Sequence, residues 1–263
     1  MAKLFFCLAL LFNILFVNSL FADGATIEFS ATAIQRAPGR PDYQRQMYVG
    51  QDMVRTDSLV NDIKFIEIVK QKAQKRMLLL PKDKVYMMQQ GNNTETEIVS
   101  KKTVSTKPCE GLKDTQCEMI GKENINNRQA EKWEFTVEKN EQTYRSLHWI
   151  DVERRMLVRE FLPDGTVMEL IPQGKEKIDG RPTEKWLWQL SGADGQIKSS
   201  IQWYDPELKI TIREEIPGGF IRELKQIIVG KQNRALFEVP NNFKQVENLQ
   251  GYLKPLPLPI EQQ

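Results

Sequence analysis

The clearest hydrophobic pattern lies in the second half of the chain, where it occurs twice. In residues 132–137 every second side chain is apolar, and residues 185–190 carry apolar side chains at the same alternate positions. Alternation with a period of two predicts a β-strand that presents one face to a core. Each of these segments is followed by further strand-like segments separated by short turns. The pattern therefore predicts two similar antiparallel meanders.

The two meanders are copies of one another. Residues 122–170 align with residues 175–224, and the extra residue of the second copy falls in the turn Ser191–Gly195. An insertion in a turn costs little free energy. Shared order and spacing indicate an internal duplication, in which the matched residues are Ile125/Ile178, Arg128/Arg181, Glu131/Glu184, Lys132/Lys185, Trp133/Trp186, Trp149/Trp203, Asp151/Asp205, Arg159/Arg213, Glu160/Glu214 and Glu169/Glu223.

The first half of the chain is also strand-rich. The segment Met53–Arg55 is similar to Leu157–Arg159 and Thr211–Arg213, so the first half is interpreted as a more distant version of the same plan. Helix signals are weak, with one possible turn at 232–238. Residues 90–116 form the longest irregular stretch, and the strands predicted before it are 26–34, 43–49, 53–56, 63–69, 76–80 and 85–89.

These elements predict the fold class. Many consecutive strands must hide their edges by closure or by packing. We expect a mainly β protein with one large curved antiparallel sheet, a half-open barrel built from repeated meanders, and little helix. One domain over residues 23–250 would hold both repeats, because half a barrel cannot bury its own face. A proline-rich tail over residues 251–263 follows it.

The N-terminus is typical of a secretory signal. Lys3 is followed by an uncharged apolar stretch up to Ala22. A signal peptide over residues 1–22 would be cleaved after Ser19 or Ala22, which predicts export to the periplasm. The alternative is an uncleaved anchor helix, since a membrane span needs about 20 apolar residues. Cys7 lies near the start of the apolar stretch and belongs to the signal.

Two cysteines remain after the signal, Cys109 and Cys117. In an oxidising compartment a close pair predicts a disulfide. A redox or metal site is the alternative, but no histidine lies near these cysteines. The 37 basic and 35 acidic residues are nearly balanced, which gives no electrostatic reason to expect nucleic-acid binding.

Groups suited to catalysis are scarce. The chain has one histidine, His148, which is interpreted as a polar position on a strand rather than a general base. Asp151 and Asp205 occupy equivalent places at turns, which favours turn formation over paired-carboxylate chemistry. No His/Cys cluster has metal-ligand spacing, and no phosphate loop or nucleophile elbow is present. We therefore expect no enzymatic activity, no cofactor and no metal site.

Aromatic residues are the remaining candidates for a binding site. All five tryptophans lie in the repeats. They either fill the core or line an apolar cavity, since ligand pockets favour aromatic walls. Arg159 and Arg213 either form ion pairs on the solvated face or, at a cavity rim, meet an anionic headgroup. The candidate ligand-contacting residues are Trp133, Phe135, Trp149, Trp186, Trp188, Trp203 and Arg55.

Three segments resemble a known family. Residues 48–55 (YVGQDMVR), 78–86 (LLLPKDKVY) and 235–243 (ALFEVPNNF) are similar to the periplasmic lipoprotein-carrier (Lol-type) superfamily and its uncharacterised relatives. The resemblance implies a half-open antiparallel barrel with a hydrophobic concave face under a helical lid. This chain departs from the carriers because it enters a strand near Thr26 and has no clear lid helices.

The expected function follows from the resemblance together with the tryptophans. We expect a monomeric periplasmic protein that binds a lipid or an acylated protein in a hydrophobic concave β cavity. The alternative is an envelope protein-interaction or sensor domain on the same fold, with an envelope protein as its partner.

Overall fold

The computed structural model describes residues 27–90 and 107–252, apart from 111, 113 and 140. The predicted signal segment and most of the predicted tail lie outside these residues. The described elements are β1 (Phe29–Arg36), β2 (Tyr43–Gly50), β3 (Met53–Val60), β4 (Ile63–Lys70), β5 (Lys75–Leu80), β6 (Val85–Gln90), β7 (Thr115–Ile125), β8 (Arg128–Lys139), β9 (Gln142–Asp151), β10 (Leu157–Phe161), β11 (Val167–Ile178), β12 (Arg181–Ser191), β13 (Ile197–Asp205), β14 (Ile210–Ile216), β15 (Phe220–Val229) and β16 (Lys244–Val246), with short 3₁₀ helices at Arg234–Phe237 and Gln250–Tyr252.

Hydrogen bonding links these strands in a single order, β16-β6-β5-β4-β3-β2-β1-β15-β14-β13-β12-β11-β10-β9-β8-β7. Strand β16 is parallel to β6, whereas the meander pairings are antiparallel. The order ends at β16 and β7, so these two strands form the edges of the sheet within the described residues. The prediction of a mainly β fold with one large antiparallel sheet and little helix is confirmed. Within the described part of the chain, no helix is long and apolar enough to cross a membrane.

The chain divides into two compact units. The first comprises, among the described residues, 27–34, 43–90 and 224–252, and the second comprises 35–42 and 107–223. The prediction of one domain over residues 23–250 is not tested by this division. Both copies of the duplicated meander lie in the second unit, except for Leu224, the last residue of the second copy.

In the first unit, residues 233–243, here called the C-terminal segment, complete a hydrophobic core. Phe237, at the end of the first 3₁₀ helix, is 1% exposed and packs with Ile68 and Leu79 of β4 and β5. Asn233 starts this helix, because its side-chain oxygen accepts a hydrogen bond from the Ala235 amide at 3.0 Å. The predicted helical turn near residues 232–238 is therefore present as a 3₁₀ helix.

In the second unit, the two copies share backbone irregularities. The β7–β8 ladder shifts register between Met119 and Gly121, and the β11–β12 ladder shifts between Pro172 and Gly174. Such shifts are β-bulges, which bend a strand and re-aim its side chains. A second pair of register shifts follows at Leu157/Arg159 and at Trp203/Tyr204. The duplication therefore extends to details of strand geometry.

Candidate functional site

The tryptophans of the second unit lie on two opposite faces of the sheet. Trp149 pairs directly with Lys132 of β8, while the next residue of β8, Trp133, pairs with His148. Directly paired residues share a face and neighbouring residues on a strand do not. Trp133 and Trp149 therefore lie on opposite sides. The same reasoning places Trp203 with Lys185 on one side and separates it from Trp186.

We call the side that carries Trp149 and Trp203 the charged face, and the side that carries Trp133, Phe135, Trp186 and Trp188 the aromatic face. The sequence prediction treated these residues as one candidate set. No single ligand on one side of the sheet can contact all of them.

On the charged face, each tryptophan is stacked between two cations. The Lys132 ammonium lies 5.0 Å and the Arg159 guanidinium 5.3 Å from the ring centre of Trp149. In the second copy, Lys185 and Arg213 lie 4.9 and 5.3 Å from the ring of Trp203. Cations over an indole face are attracted by its quadrupole. The long side chains also cover the rings, which are only 5% and 4% exposed.

One glutamate completes each stack. The indole N–H of Trp149 donates to Glu123 at 2.8 Å, and that of Trp203 donates to Glu176 at 2.9 Å. Glu123 also accepts from Lys132 at 2.7 Å. Hydrogen bonds from Lys132 and Trp149 lower the pKa of Glu123, and the hydrogen bond from Trp203 lowers the pKa of Glu176. Both carboxylates therefore stay ionised at neutral pH.

The aromatic face carries two apolar clusters. Trp133 and Phe135 pack with Cys109, Cys117 and Ile150. Trp186, which is almost fully buried, packs with Leu170 and Tyr204 and is flanked by half-buried Met156, Met168 and Trp188. The half-buried residues here lie side by side, because Met168 pairs with Leu190 and Leu170 pairs with Trp188. This face therefore offers partly accessible apolar surface.

A polar cluster on the aromatic face has the composition of a catalytic triad. Ser146 Oγ lies 2.7 Å from His148 Nε2, and His148 Nδ1 lies 3.5 Å from Glu160 Oε1. Burial lowers the pKa of His148 and raises the pKa of Glu160. The histidine is therefore neutral at pH 7, and the contact with Glu160 is not an ion pair.

The second copy explains this cluster. Ser200, Gln202 and Glu214 occupy the positions equivalent to Ser146, His148 and Glu160. Ser200 donates to Glu214 at 2.9 Å, and Gln202 donates to Glu214 at 3.2 Å. Glutamine cannot act as a general base, yet it holds the same place in the same hydrogen-bonded group. This favours a structural role for Ser146, His148 and Glu160.

Arg55 lies in the first unit and is engaged by protein groups. It donates to Asp57 at 2.5 Å and to the carbonyl oxygen of Leu236 at 3.0 Å. Its guanidinium lies 5.9 Å from the ring centre of Tyr48, the residue directly opposite on β2. Arg159 and Arg213 have the same relation to Trp149 and Trp203. Arg55 thus fixes the C-terminal segment, and its contact with a ligand stays a prediction.

The predicted disulfide is formed. Cys109 and Cys117 are joined by an S–S bond of 1.99 Å, and both are buried. An open cavity of about 800 Å³ lies beside it, lined by Lys107, Glu110, Glu118 and Glu134 among others. A second cavity of about 370 Å³ lies near the turns at Asp164 and Asp194. Neither cavity is lined by a tryptophan, and no group suited to holding a metal ion occurs among the described residues.

No family model and no curated protein matches the chain. Among solved structures, it is similar to a LolA superfamily protein from Nitrosomonas europaea (11% identity, 86% of this chain and 96% of that chain, TM-score 0.36). A domain assigned to outer membrane lipoprotein sorting, from Vibrio parahaemolyticus, is 11% identical (80% and 88% covered, TM-score 0.33). A DUF1329 family protein from Desulfovibrio piger is 14% identical (86% and 95% covered, TM-score 0.31).

The names of the first two match the carrier superfamily that the sequence resembles.

Proposed function

We propose that this chain is an exported periplasmic module that binds a lipid or an acylated protein on its aromatic face and performs no catalysis. The observation that carries the proposal is the group of half-buried apolar side chains Met168, Trp188 and Leu190, beside the buried Trp186. Contiguous apolar surface on a soluble domain marks interaction sites. An acyl chain laid across these side chains would remove apolar area from water, at about 25 cal/mol per Å².

The absence of catalysis is supported by the repeat. The triad-like cluster found in the described part of the chain has a glutamine in place of its histidine in the second copy, which is what a structural hydrogen-bonded group would allow.

Binding can be measured with a fluorescent fatty acid, cis-parinaric acid, excited directly so that the signal does not depend on tryptophan. Trp188→Ser should weaken binding at least tenfold. Leu187→Ser is the matched control, because Leu187 is the adjacent half-buried residue on the same strand and faces the charged side. Equal loss in both variants, or no binding by the parent protein, would contradict the proposal. Native mass spectrometry of protein purified without detergent should show bound lipid.

Export is tested separately. N-terminal sequencing of the mature protein should begin at Leu20 or Asp23, according to which cleavage site is used. An intact Met1 in the membrane fraction would instead support the anchor-helix alternative.

A second candidate function, an envelope protein-interaction domain, is favoured by the edge strand β7. Leu112, Met119 and Ile120 are about half exposed on or beside this strand, and unpaired edge strands can add a strand from a partner. A photo-crosslinking amino acid at Ile120 should capture one specific envelope protein, whereas the same group at the exposed Thr143 of β9 should not. Identical capture patterns at both positions would count against this candidate.

A further inference from the structure

The two copies of the charged face differ at their arginines. In the second copy, Arg213 is fully engaged by carboxylates. Its Nε and Nη2 donate to Glu215, and its Nη1 donates to Glu223 at 3.1 Å. The guanidinium is thus held by two acidic side chains and by the ring of Trp203.

In the first copy, the equivalent Arg159 keeps the stack but, among the described residues, makes none of these hydrogen bonds to carboxylates. It lies 5.3 Å from the ring centre of Trp149, the same separation as in the second copy. Phe161 stands at the position of Glu215. Glu169, which stands at the position of Glu223, accepts a hydrogen bond from Asn126 at 3.4 Å. Among the described residues, Arg159 forms no ion pair, and its buried Nε has no hydrogen-bond partner.

An arginine side chain remains charged in proteins, so Arg159 cannot lose a proton to remove its unpaired buried donor. A buried donor without an acceptor raises the free energy of the folded state. Carboxylates and phosphates match the donor geometry of a guanidinium and bind it through two parallel hydrogen bonds. An external oxyanion at Arg159 would therefore supply the acceptors that Glu215 and Glu223 supply to Arg213.

The neighbours of Arg159 indicate what the oxyanion is attached to. Phe161 is 43% exposed, and it pairs with the half-buried Leu147 and Val167 on the two neighbouring strands. The nearby carboxylates already have partners: Glu123 is held by Lys132 and Trp149, and Glu169 by Asn126. The surface around the guanidinium thus combines one available cation with apolar side chains.

We propose that Arg159 forms a binding site for an oxyanion, a carboxylate or a phosphate, that is carried on an apolar body in contact with Phe161 and Leu147. The site lies on the charged face, opposite the aromatic face, so it does not depend on the function proposed above. The duplication provides its own comparison, because Arg213 has the same backbone position and stacking but internal acceptors.

The test uses four soluble probes, hexyl phosphate, hexanoate, hexanol and inorganic phosphate, with isothermal titration calorimetry on the full mature chain. Hexyl phosphate or hexanoate should bind, hexanol should not, and inorganic phosphate should bind at least tenfold more weakly than hexyl phosphate. The stronger of the two anionic probes identifies the headgroup. Equal binding of hexanol would overturn the role of the anion, and equal binding of inorganic phosphate would overturn the apolar contact.

Three variants locate the site. Arg159→Gln should weaken binding of the anionic probe at least tenfold, while Arg213→Gln should leave it within twofold. Phe161→Glu, which copies Glu215, should also abolish binding but raise the thermal midpoint, because it gives Arg159 an internal acceptor. This gain in stability separates a lost site from a lost fold. Undiminished binding by Arg159→Gln or by Phe161→Glu would overturn the proposal.

Trp188→Ser, on the opposite face, should bind the anionic probe normally even if it no longer binds cis-parinaric acid. Failure of the aromatic-face proposal and failure of the Arg159 site are therefore distinguishable.

Discussion

Arg128 donates a hydrogen bond from Nε to Oδ2 of Asp151 at 2.5 Å, and Arg181 makes the same bond to Asp205 at the same distance. Asp151 is 1% exposed, and its other oxygen accepts from the amide of Arg154 at 2.7 Å, inside the turn after β9. One carboxylate thus joins the start of β8 to the end of β9 in the first copy, and its equivalent joins the start of β12 to the end of β13 in the second. Asp151 and Asp205 therefore form the predicted turns and, in addition, each form an ion pair with an arginine.

Replacing Asp151 should therefore be costly. Asp151→Ala removes the turn acceptor and leaves the Arg128 guanidinium, which is 20% exposed, without its closest carboxylate. Breaking such a largely buried pair costs about 3 kcal/mol of unfolding free energy, measured by urea denaturation. Glu153→Ala is the control, because Glu153 is 79% exposed and lies 3.6 Å from the same guanidinium; its effect should stay within about 0.5 kcal/mol. Equal effects of the two variants would refute this account.

The sequence predicted these corners and the strands around them because the signals are local. Asp151 and Asp205 precede turn-forming residues, and the apolar alternation over residues 132–137 and 185–190 defines β8 and β12. Each of the six strands predicted in the first half overlaps a strand of the structure. The division of the tryptophans between two faces was missed. It depends on cross-strand register, such as Lys132 opposite Trp149, which alternation within one strand does not specify.

The sequence prediction also missed that Arg159 lacks an ion-pair partner, although the sequence difference that causes this is present in the repeats. Glu215 in the second copy corresponds to Phe161 in the first, and this difference is visible in the alignment of the repeats. Its meaning requires the knowledge that Glu215 binds Arg213. Once the strand register is known, comparing equivalent positions of the two copies identifies where the first copy lacks an internal ion pair that the second copy has.

Reduction of the disulfide should destabilise the protein modestly. Cys109 and Cys117 are separated by 8 positions in the sequence. Closing so short a loop lowers the entropy of the unfolded chain, which raises its free energy by about 2 kcal/mol. The double variant Cys109→Ser/Cys117→Ser should lower the urea midpoint by the corresponding amount. Because both cysteines are buried, the native protein should resist mild reductant, whereas urea and reductant together should open the bond. Rapid reduction of the native protein without urea would contradict the observed burial.

Protonation of His148 should destabilise the fold. Burial lowers the pKa of His148 below its ordinary value of 6.5, so near that pH the unfolded chain binds a proton more readily than the folded chain. The contribution to stability is complete above pH 6.5. It decreases as the pH falls below 6.5 and levels off below the folded-state pKa. Denaturation curves from pH 5 to 8 should show this slope.

His148→Gln is the matched variant for this effect, because glutamine occupies the equivalent position 202 in the second copy. It should remove the slope between pH 5 and 6.5. Burial raises the pKa of Glu160 above its ordinary 4.5, so Glu160 has the opposite dependence: its contribution is lost as the pH rises from 4.5 through the folded-state pKa. Subtracting the His148→Gln curve from the parent curve isolates the histidine. Parallel curves for the two proteins would show that His148 does not titrate differently on folding.

Gly50 and Phe237 should be energetically coupled in the first unit. A Cβ atom added at Gly50 would lie 3.0 Å from Cε2 and Cζ of the Phe237 ring, closer than normal van der Waals contact. Gly50→Ala should therefore cost about 1 kcal/mol through overpacking. Phe237→Ala should cost about 4 kcal/mol, because it removes a ring that is 1% exposed.

In the double variant the added methyl group no longer meets the ring, so its cost should disappear. The double-mutant cycle, measured by urea denaturation, should then give a coupling of about 1 kcal/mol between the two positions. Gly121→Ala is the control, because a Cβ at Gly121 meets no atom within 4 Å and should add independently to Phe237→Ala. Strict additivity of Gly50→Ala with Phe237→Ala would mean that the C-terminal segment does not pack over β2 as observed.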